Sequence, residues 1–149
     1  MLRIFINSNN EYTSILARSI RNKKAKGTAA ENELVHRFWE NEWVCVRVAG
    51  SGSSKYPSPD ILASNGHKKI VMEVKSVNAT KKYFTRQEVR DLDFFGEKFG
   101  AEAWVGVKFS ESQWFFIPTS ELDETKSENF VIDIIKMKRQ GFEFEDLIK

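Results

Sequence analysis

Two stretches of the chain carry hydrophobic residues at the spacing of an amphipathic helix. Residues 27–41 have apolar side chains at every fourth position. Residues 85–99 open with Thr85 and Glu88 in the capping-box pattern, and Gly100 follows as a typical helix stop. We therefore predict two helices. Their apolar stripes consist of Ala30, Leu34 and Phe38 in the first, and Val89, Leu92, Phe95 and Phe99 in the second.

Strands are predicted where apolar and polar residues alternate, or where short apolar runs end in turn residues. A Gly/Ser/Pro loop over residues 50–59 precedes a hairpin whose turn is Asn65-Gly66. The predicted strands are 43–49, 60–64, 69–77, 101–109, 113–117 and an edge strand over 130–135, and a short helix over 144–148 ends the chain. Strands separated by single helices predict an α/β fold with a central mixed β-sheet flanked by helices.

Composition and charge bound the class of protein. The 149 residues are 41% hydrophobic and 30% charged, which is typical of one globular domain. We assign residues 26–149 to that domain and residues 1–25 to an N-terminal extension. Residues 18–26 are basic and contain no acid, so the extension is either a loosely held tail or an arm that touches DNA.

Cysteine content and hydropathy bear on location. The single Cys45 excludes an internal disulfide and fits a reducing cytosol, so we expect a cytoplasmic protein. No stretch approaches the roughly 20 apolar residues that span a bilayer, and we therefore expect no membrane partner.

Asp60, Glu73 and Lys75 are the residues that carry candidate chemistry. Glu73 and Lys75 lie two apart on a predicted strand and leave the same face, while Asp60 begins the partner strand. Two carboxylates suit Mg²⁺ or Mn²⁺, and an ammonium beside them suits phosphodiester hydrolysis. Taken alone, Glu73 and Lys75 could be a surface ion pair. Their position in an apolar strand favours the catalytic interpretation.

Other polar residues near this site each have two interpretations. Glu31 is either a first-turn glutamate stabilised by the helix dipole or a ligand that the helix lends to the strand site. Lys55, Lys81, Lys82 and Arg86 are solvated charges or, as a group flanking the site, phosphate contacts, which we favour. Lys26 is also predicted to bind DNA. The Gly/Ser loop lacks the lysine and helix of a P-loop, so no nucleotide cofactor is expected.

Four segments in this order resemble the archaeal Holliday junction resolvases, which belong to the restriction-endonuclease-like nuclease superfamily. The segments are residues 26–31, 46–53, 57–61 and 73–75, and the resemblance runs from about residue 26 to residue 116. It implies a restriction-endonuclease-like core and a metal-dependent endonuclease. It also implies a two-fold homodimer that cuts two opposed strands of branched DNA, a four-way junction.

The resemblance assigns roles to single residues. Asp60 and Glu73 match metal-binding acids, and the backbone carbonyl of Val74 is a further metal ligand. Lys75, Glu31 and Ser51 match catalytic residues of the family, and Glu31 also matches a metal ligand. Arg47 matches an arginine that contacts DNA. Phe95 and Phe99 match positions of subunit contact, although both could instead pack on their own sheet.

Two other functions stay open at this point. The first is a related nuclease that cuts plain duplex, flaps or foreign DNA, which the active-site residues cannot distinguish from a resolvase. The second is a DNA-binding module without catalysis. The presence of Glu31, Asp60, Glu73 and Lys75 together argues against the second.

Overall fold

The computed structural model describes the backbone of residues 2–110 and 113–149, and the side chains of residues 14–110 and 113–149. The helices are α1 (Leu2–Glu40), α2 (Arg86–Phe99), α3 (Ile134–Gln140) and α4 (Phe144–Leu147). The strands are β1 (Val44–Arg47), β2 (Ile61–Ser64), β3 (Lys69–Val77), β4 (Lys81–Phe84), β5 (Glu102–Phe109), β6 (Gln113–Pro118), β7 (Asp123–Glu124) and β8 (Phe130–Asp133). No helix within these described residues is long and apolar enough to cross a membrane.

The centre of the molecule is a five-stranded mixed sheet in the order β1-β2-β3-β5-β6. Strands β3 and β5 are parallel, with Glu73 opposite Val105, and every other pair in this sheet is antiparallel. Helix α2 lies in the connection between the parallel strands and packs on both of them. The predicted α/β fold with a central mixed sheet and flanking helices is therefore confirmed.

The two faces of the sheet bury separate cores. Helices α1 and α4 cover one face, where Leu34 and Phe38 pack against Met72 and Val74. Helix α2 and a small second sheet, ordered β4-β8-β7, cover the other face, the side of Val71. Because alternate residues of a strand point to opposite faces, Glu73 and Lys75 leave β3 on the side of α2.

An ion pair anchors α1 to the sheet. Glu33 accepts hydrogen bonds from Lys108 Nζ at 2.5 Å and from Trp114 Nε1 at 2.8 Å. Burial alone would raise the pKa of the Glu33 carboxyl, but these two hydrogen bonds and the charge of Lys108 outweigh it and lower the pKa. Lys108 lies on β5 and Trp114 on β6, so this contact ties α1 to the strands at the β6 edge of the sheet.

Helix α1 begins much earlier than its hydrophobic stripe indicated. We predicted a start at Gly27, which is wrong, because the helix runs unbroken from Leu2. A glycine inside a helix costs only about 1 kcal/mol, and the preceding residues include no proline. Residues 14–26 are exposed throughout. The division into an extension and a domain stays a prediction.

Other elements differ from the predictions because tertiary contacts decide them. Strand β4 and helix α3 were not predicted, and β8 is the middle strand of the second sheet, not an edge strand.

On β1 the two valines, Val44 and Val46, are exposed, whereas Cys45 is buried. At the β2–β3 turn only Gly66 takes a positive φ (91°), and the Asn65 side chain instead accepts hydrogen bonds from the backbone beyond it.

The Glu33 anchor can be tested by a stability measurement. Glu33→Ala is expected to lower the free energy of unfolding by about 1–2 kcal/mol, because it leaves the Lys108 ammonium and the Trp114 N–H without their acceptor. Glu40→Ala, on the same helix but exposed, should change it by less than about 0.5 kcal/mol. Urea denaturation of both variants makes the comparison, and equal effects would contradict the anchor.

Candidate active site

Residues from α1, the β1–β2 connection and β3 meet in a cleft of about 440 Å³, which we call the first cleft. It brings together seven of the residues singled out in the sequence, namely Glu31, Arg47, Ser51, Asp60, Glu73, Val74 and Lys75. Glu73, Val74 and Lys75 lie on β3, and the antiparallel pairing of β2 with β3 places Asp60, the residue before β2, beside the middle of β3. The convergence predicted for Asp60 and Glu73 is therefore present.

Asp60 is held rigidly at the entrance to β2. Its carboxylate accepts a hydrogen bond from Ser51 Oγ at 2.7 Å on one oxygen and from the Val74 backbone N–H at 2.8 Å on the other. Its own backbone N–H donates to the Met72 carbonyl at 3.0 Å. The residue is only 7% exposed. Since a carboxylate oxygen has two lone pairs, each oxygen keeps one acceptor position.

Glu73 and Lys75 form a direct pair, with Lys75 Nζ donating to Glu73 Oε1 at 2.6 Å. Burial raises the pKa of the Glu73 carboxyl to about 7, the negative charge of Asp60 adds to this, and Lys75 opposes it. Burial of the Lys75 ammonium works to lower its pKa, but the charge and hydrogen bond of Glu73, with the charge of Asp60, outweigh burial and raise it. Lys75 is thus a firmly charged donor.

Glu31 lies at the wall of the first cleft, where Arg47 donates to its carboxylate at 3.1 Å. Burial raises the pKa of Glu31, the nearby Asp60 charge adds to the rise, and Arg47 opposes it. Because α1 starts at Leu2, Glu31 lies in the interior of the helix and not in its first turn. The helix-dipole interpretation therefore fails. Glu31 belongs electrostatically to the same group of acids.

The donor set fits a hard divalent cation. Among the described residues, no three or more side chains of His, Cys, Asp or Glu lie close enough to hold a metal ion by themselves. Mg²⁺ is commonly bound by only one or two carboxylates, with water and substrate phosphate completing its shell. Asp60 and Glu73 supply two, and both are hard oxygen donors. Cys45 takes no part, because burial raises the pKa of its thiol to about 12.

The predicted DNA-binding cations lie in different surroundings. Lys55 lines a second cleft of about 600 Å³, which shares Glu73 and Lys75 with the first. Lys26 donates to the Asn78 side chain at 2.7 Å beside the first cleft. Lys82 lies on β4, outside both clefts. Arg86 donates to Glu124 Oε1 at 2.5 Å and to the Glu128 carbonyl, so its guanidinium holds the second sheet to α2.

Two cations of the first cleft were missed by sequence reasoning. Lys23 and Lys24 line the cleft together with Gly27 and Thr28. The basic run over residues 18–26 is evident in the sequence, but the helix is predicted to start after it, so no sequence signal relates these lysines to Glu31. The absence of any acid between residues 12 and 30 was the available signal.

Comparison with known proteins gives one consistent family. A model of the family described as archaeal Holliday junction resolvase (hjc) matches residues 22–149. The chain is similar to the crossover junction endodeoxyribonuclease Hjc of Archaeoglobus fulgidus, with 41% identity over 110 residues that cover 74% of this chain and 80% of the relative. This chain is also similar to the Hjc of Sulfurisphaera tokodaii, with 30% sequence identity over 132 residues that cover 87% of this chain and 90% of the relative.

A solved structure agrees with the sequence comparisons. The structure of Archaeoglobus fulgidus Hjc, described as a Holliday junction resolvase from an archaeal hyperthermophile, superposes with a TM-score of 0.75 and 36% identity. The match covers 83% of this chain and 100% of that one. The family model begins at residue 22, so residues 1–21 lie outside its match.

The raised pKa of Glu73 predicts a pH-dependent stability change in the metal-free protein. A carboxyl group whose pKa is about 7 when folded and about 4.3 when unfolded binds its proton more tightly in the folded state. Its ionisation therefore lowers stability as the pH rises between these two values. Because Gln resembles the protonated carboxyl, Glu73→Gln should stabilise the fold by about 1–3 kcal/mol at pH 8 and by almost nothing at pH 4.

Urea unfolding in the presence of a chelator at pH 4, 6 and 8 measures this change. Glu40→Gln, which alters an exposed carboxylate, is the control and should have little effect at any of these pH values. A change for Glu73→Gln of the same size at all three would show that ionisation of this group is not its cause.

Proposed function

The chain belongs to the archaeal Holliday junction resolvase family, and from this premise we propose that it is a metal-dependent endonuclease that resolves four-way DNA junctions by hydrolysing two opposed strands. The observation that carries the proposal is the meeting of Asp60, Glu73 and Lys75 in one cleft. Hydrolysis of a phosphodiester uses water and needs no nucleotide cofactor. We expect the enzyme in the cytoplasm, a reducing compartment in which a free cysteine such as the buried Cys45 is usual.

We propose that Asp60, Glu73 and the backbone carbonyl of Val74 hold Mg²⁺ or Mn²⁺. When bound, such an ion lowers the pKa of its water and stabilises charge on the phosphate. Asp60 suits this role because Ser51 and the Val74 N–H fix its orientation while leaving lone pairs on both oxygens. Glu73 suits it because burial and the charge of Asp60 both disfavour its ionised form, and a bound cation would offset both.

The other residues of the cleft supply charge and orientation. Lys75 stays protonated and projects beside both carboxylates, where its ammonium can donate to the attacking water or to a phosphate oxygen. Ser51 acts through Asp60 and is a positioning residue. Arg47 has donors left after pairing with Glu31, so it can also bind a phosphate.

Catalysis on two strands fits a two-fold homodimer, which we propose as the working form. Helix α2 packs over β3 and β5 but not over β1. On this uncovered side Val44 and Val46 are 56% and 55% exposed, and Phe99 of α2 is 50% exposed with its ring centroid 5.7 Å from that of Phe95. If two copies pack against each other through this apolar surface about a two-fold axis, the surface of each copy is buried and the dimer has two active sites.

The metal-site assignment leads to a test of function. Asp60→Asn should abolish Mg²⁺-dependent cleavage, reducing the rate at least about 100-fold, because it removes a charged ligand while Asn can still accept from the Val74 N–H. Binding to a four-way junction should be largely retained. Gel assays with four-way, Y-shaped and linear DNA, with and without Mg²⁺, report cleavage and substrate preference together.

The results of this assay distinguish the proposed resolvase from the other two functions. Full cleavage by a folded Asp60→Asn protein would remove the active-site assignment. Equal cleavage of all three DNAs by the wild-type protein would favour a less selective nuclease over a resolvase. Junction binding without cleavage under any metal condition would favour a DNA-binding module.

The proposed dimer surface gives a further prediction. Together Phe95→Ala and Phe99→Ala should weaken dimerisation by about 100-fold or more, because a two-fold contact counts each change twice. Tyr83→Ala, which removes an aromatic side chain that is 57% exposed on β4, is the matched control and should leave the dimer intact. Analytical ultracentrifugation measures association, and circular dichroism measures folding.

A folded monomer supports this surface, whereas a folded variant that remains dimeric places the subunit contact elsewhere. An unfolded variant would mean that the two rings serve the core of their own sheet. In that case Val44→Ser with Val46→Ser, at exposed positions, tests the same surface without removing core side chains.

A further inference from the structure

We propose that the exposed N-terminal part of α1, residues 14–26, binds the phosphate backbone of a duplex arm of the junction next to the cleavage site. We call this segment the basic arm. The inference rests on the proposed function, since it names a contact with the same substrate. It also adds a DNA-binding surface that begins at the first cleft and continues beyond the body of the protein.

Charge is the first observation. The basic arm carries five cations, and the sequence has no acid between residues 12 and 30. Within the part of the chain whose side chains are described, none of the five pairs with a carboxylate, and only Lys26 has a polar side-chain partner, Asn78. Five uncompensated positive charges along one segment attract a polyanion. The cations are Arg18, Arg21, Lys23, Lys24 and Lys26.

Placement is the second observation. The basic arm is continuous with the turn of α1 that carries Glu31, and Lys23 and Lys24 line the first cleft together with that glutamate. The anchor at Glu33 fixes the direction of the helix relative to the sheet. A phosphodiester placed against the acids and Lys75 would therefore have its neighbouring phosphates beside the arm.

The dimensions of a helix and of DNA agree with this arrangement. At a rise of about 1.5 Å per residue, Lys24 lies about 10 Å and Arg18 about 20 Å along the helix axis from Glu31. Successive phosphates of one strand advance by about 3.4 Å along a duplex. The arm can thus reach phosphates up to about six base pairs from the site of cleavage, which is roughly half a turn of DNA.

Exposure is the third observation. Every residue from 14 to 26 is exposed, so these side chains add nothing to either core. The rival interpretation is a protein contact, because Ile15, Leu16 and Ile20 are each about 60% exposed on the same helix. We favour DNA because the five cations outnumber these three large apolar residues and two of the cations share a cleft with the catalytic residues.

A matched pair of full-length variants tests the proposal. The first changes Arg21, Lys23 and Lys24 to Gln, which preserves helix propensity. The control changes Lys98, Lys138 and Arg139 to Gln, which removes the same charges from exposed positions that line neither cleft. Binding to a fluorescent four-way junction is measured by anisotropy without divalent metal, over a range of salt concentrations, after circular dichroism has confirmed folding.

The expected result is a loss of junction affinity of about 10- to 100-fold for the arm variant at moderate salt. The slope of log affinity against log salt should become shallower by about 2–3, since each lost phosphate contact contributes about 0.9. The control should resemble the wild-type protein in both respects. The proposal is wrong if the arm variant retains the wild-type affinity and slope, or if the control loses as much.

Two further outcomes separate the proposals. If the wild-type protein neither binds nor cuts a four-way junction, the proposed function fails and this inference fails with it. If wild-type cleavage is confirmed and the arm variant binds normally, only this inference fails. A change of sedimentation in Leu16→Ser with Ile20→Ser, combined with normal DNA binding by the arm variant, would identify the arm as a protein contact.

Discussion

The candidate active site depends on holding two carboxylates, Asp60 and Glu73, close together in a partly buried cleft. Burial raises the pKa of the Glu73 carboxyl to about 7, and the negative charge of Asp60 adds to this rise. The fold stabilises the two carboxylates with neutral and positive donors, namely Ser51 Oγ, the Val74 N–H and the Lys75 ammonium. The protein therefore maintains an arrangement that is unfavourable without a cation, which is the expected state of a site preorganised for a metal ion and a phosphate.

The sequence predicted the parts of the fold whose signals are local. The bounds of β3 and of α2 agree with the structure because a hairpin turn, a capping box at Thr85 and a terminal Gly100 mark them within a few residues. Strand β4 and helix α3 were missed because their pairing and packing partners lie far away in the chain. Gly27 misled the prediction for α1, since a flanking glycine resembles a helix boundary even where the helix continues through it.

The sequence likewise predicted those parts of the candidate site that depend on local spacing. Glu73 and Lys75 share a face because they lie two apart on a strand, and the hairpin brings Asp60 beside them, so their meeting followed from sequence spacing. The contribution of Lys23 and Lys24 did not, because it depends on the direction in which α1 leaves the sheet. That direction is set by contacts of Glu33 with residues more than seventy positions away, which no local pattern encodes.

The β1–β2–β3 meander has a consequence for how the site forms. Arg47, Ser51, Asp60 and Lys75 all come from these antiparallel strands and their loops, and only four residues join β2 to β3. Closing short loops loses little chain entropy, so contacts of this kind can form early and quickly. Glu31 and the parallel partner strand β5 come from outside the meander. We expect the hairpin of β2 and β3 to form first, and helix α1 and strand β5 to pack on it afterwards.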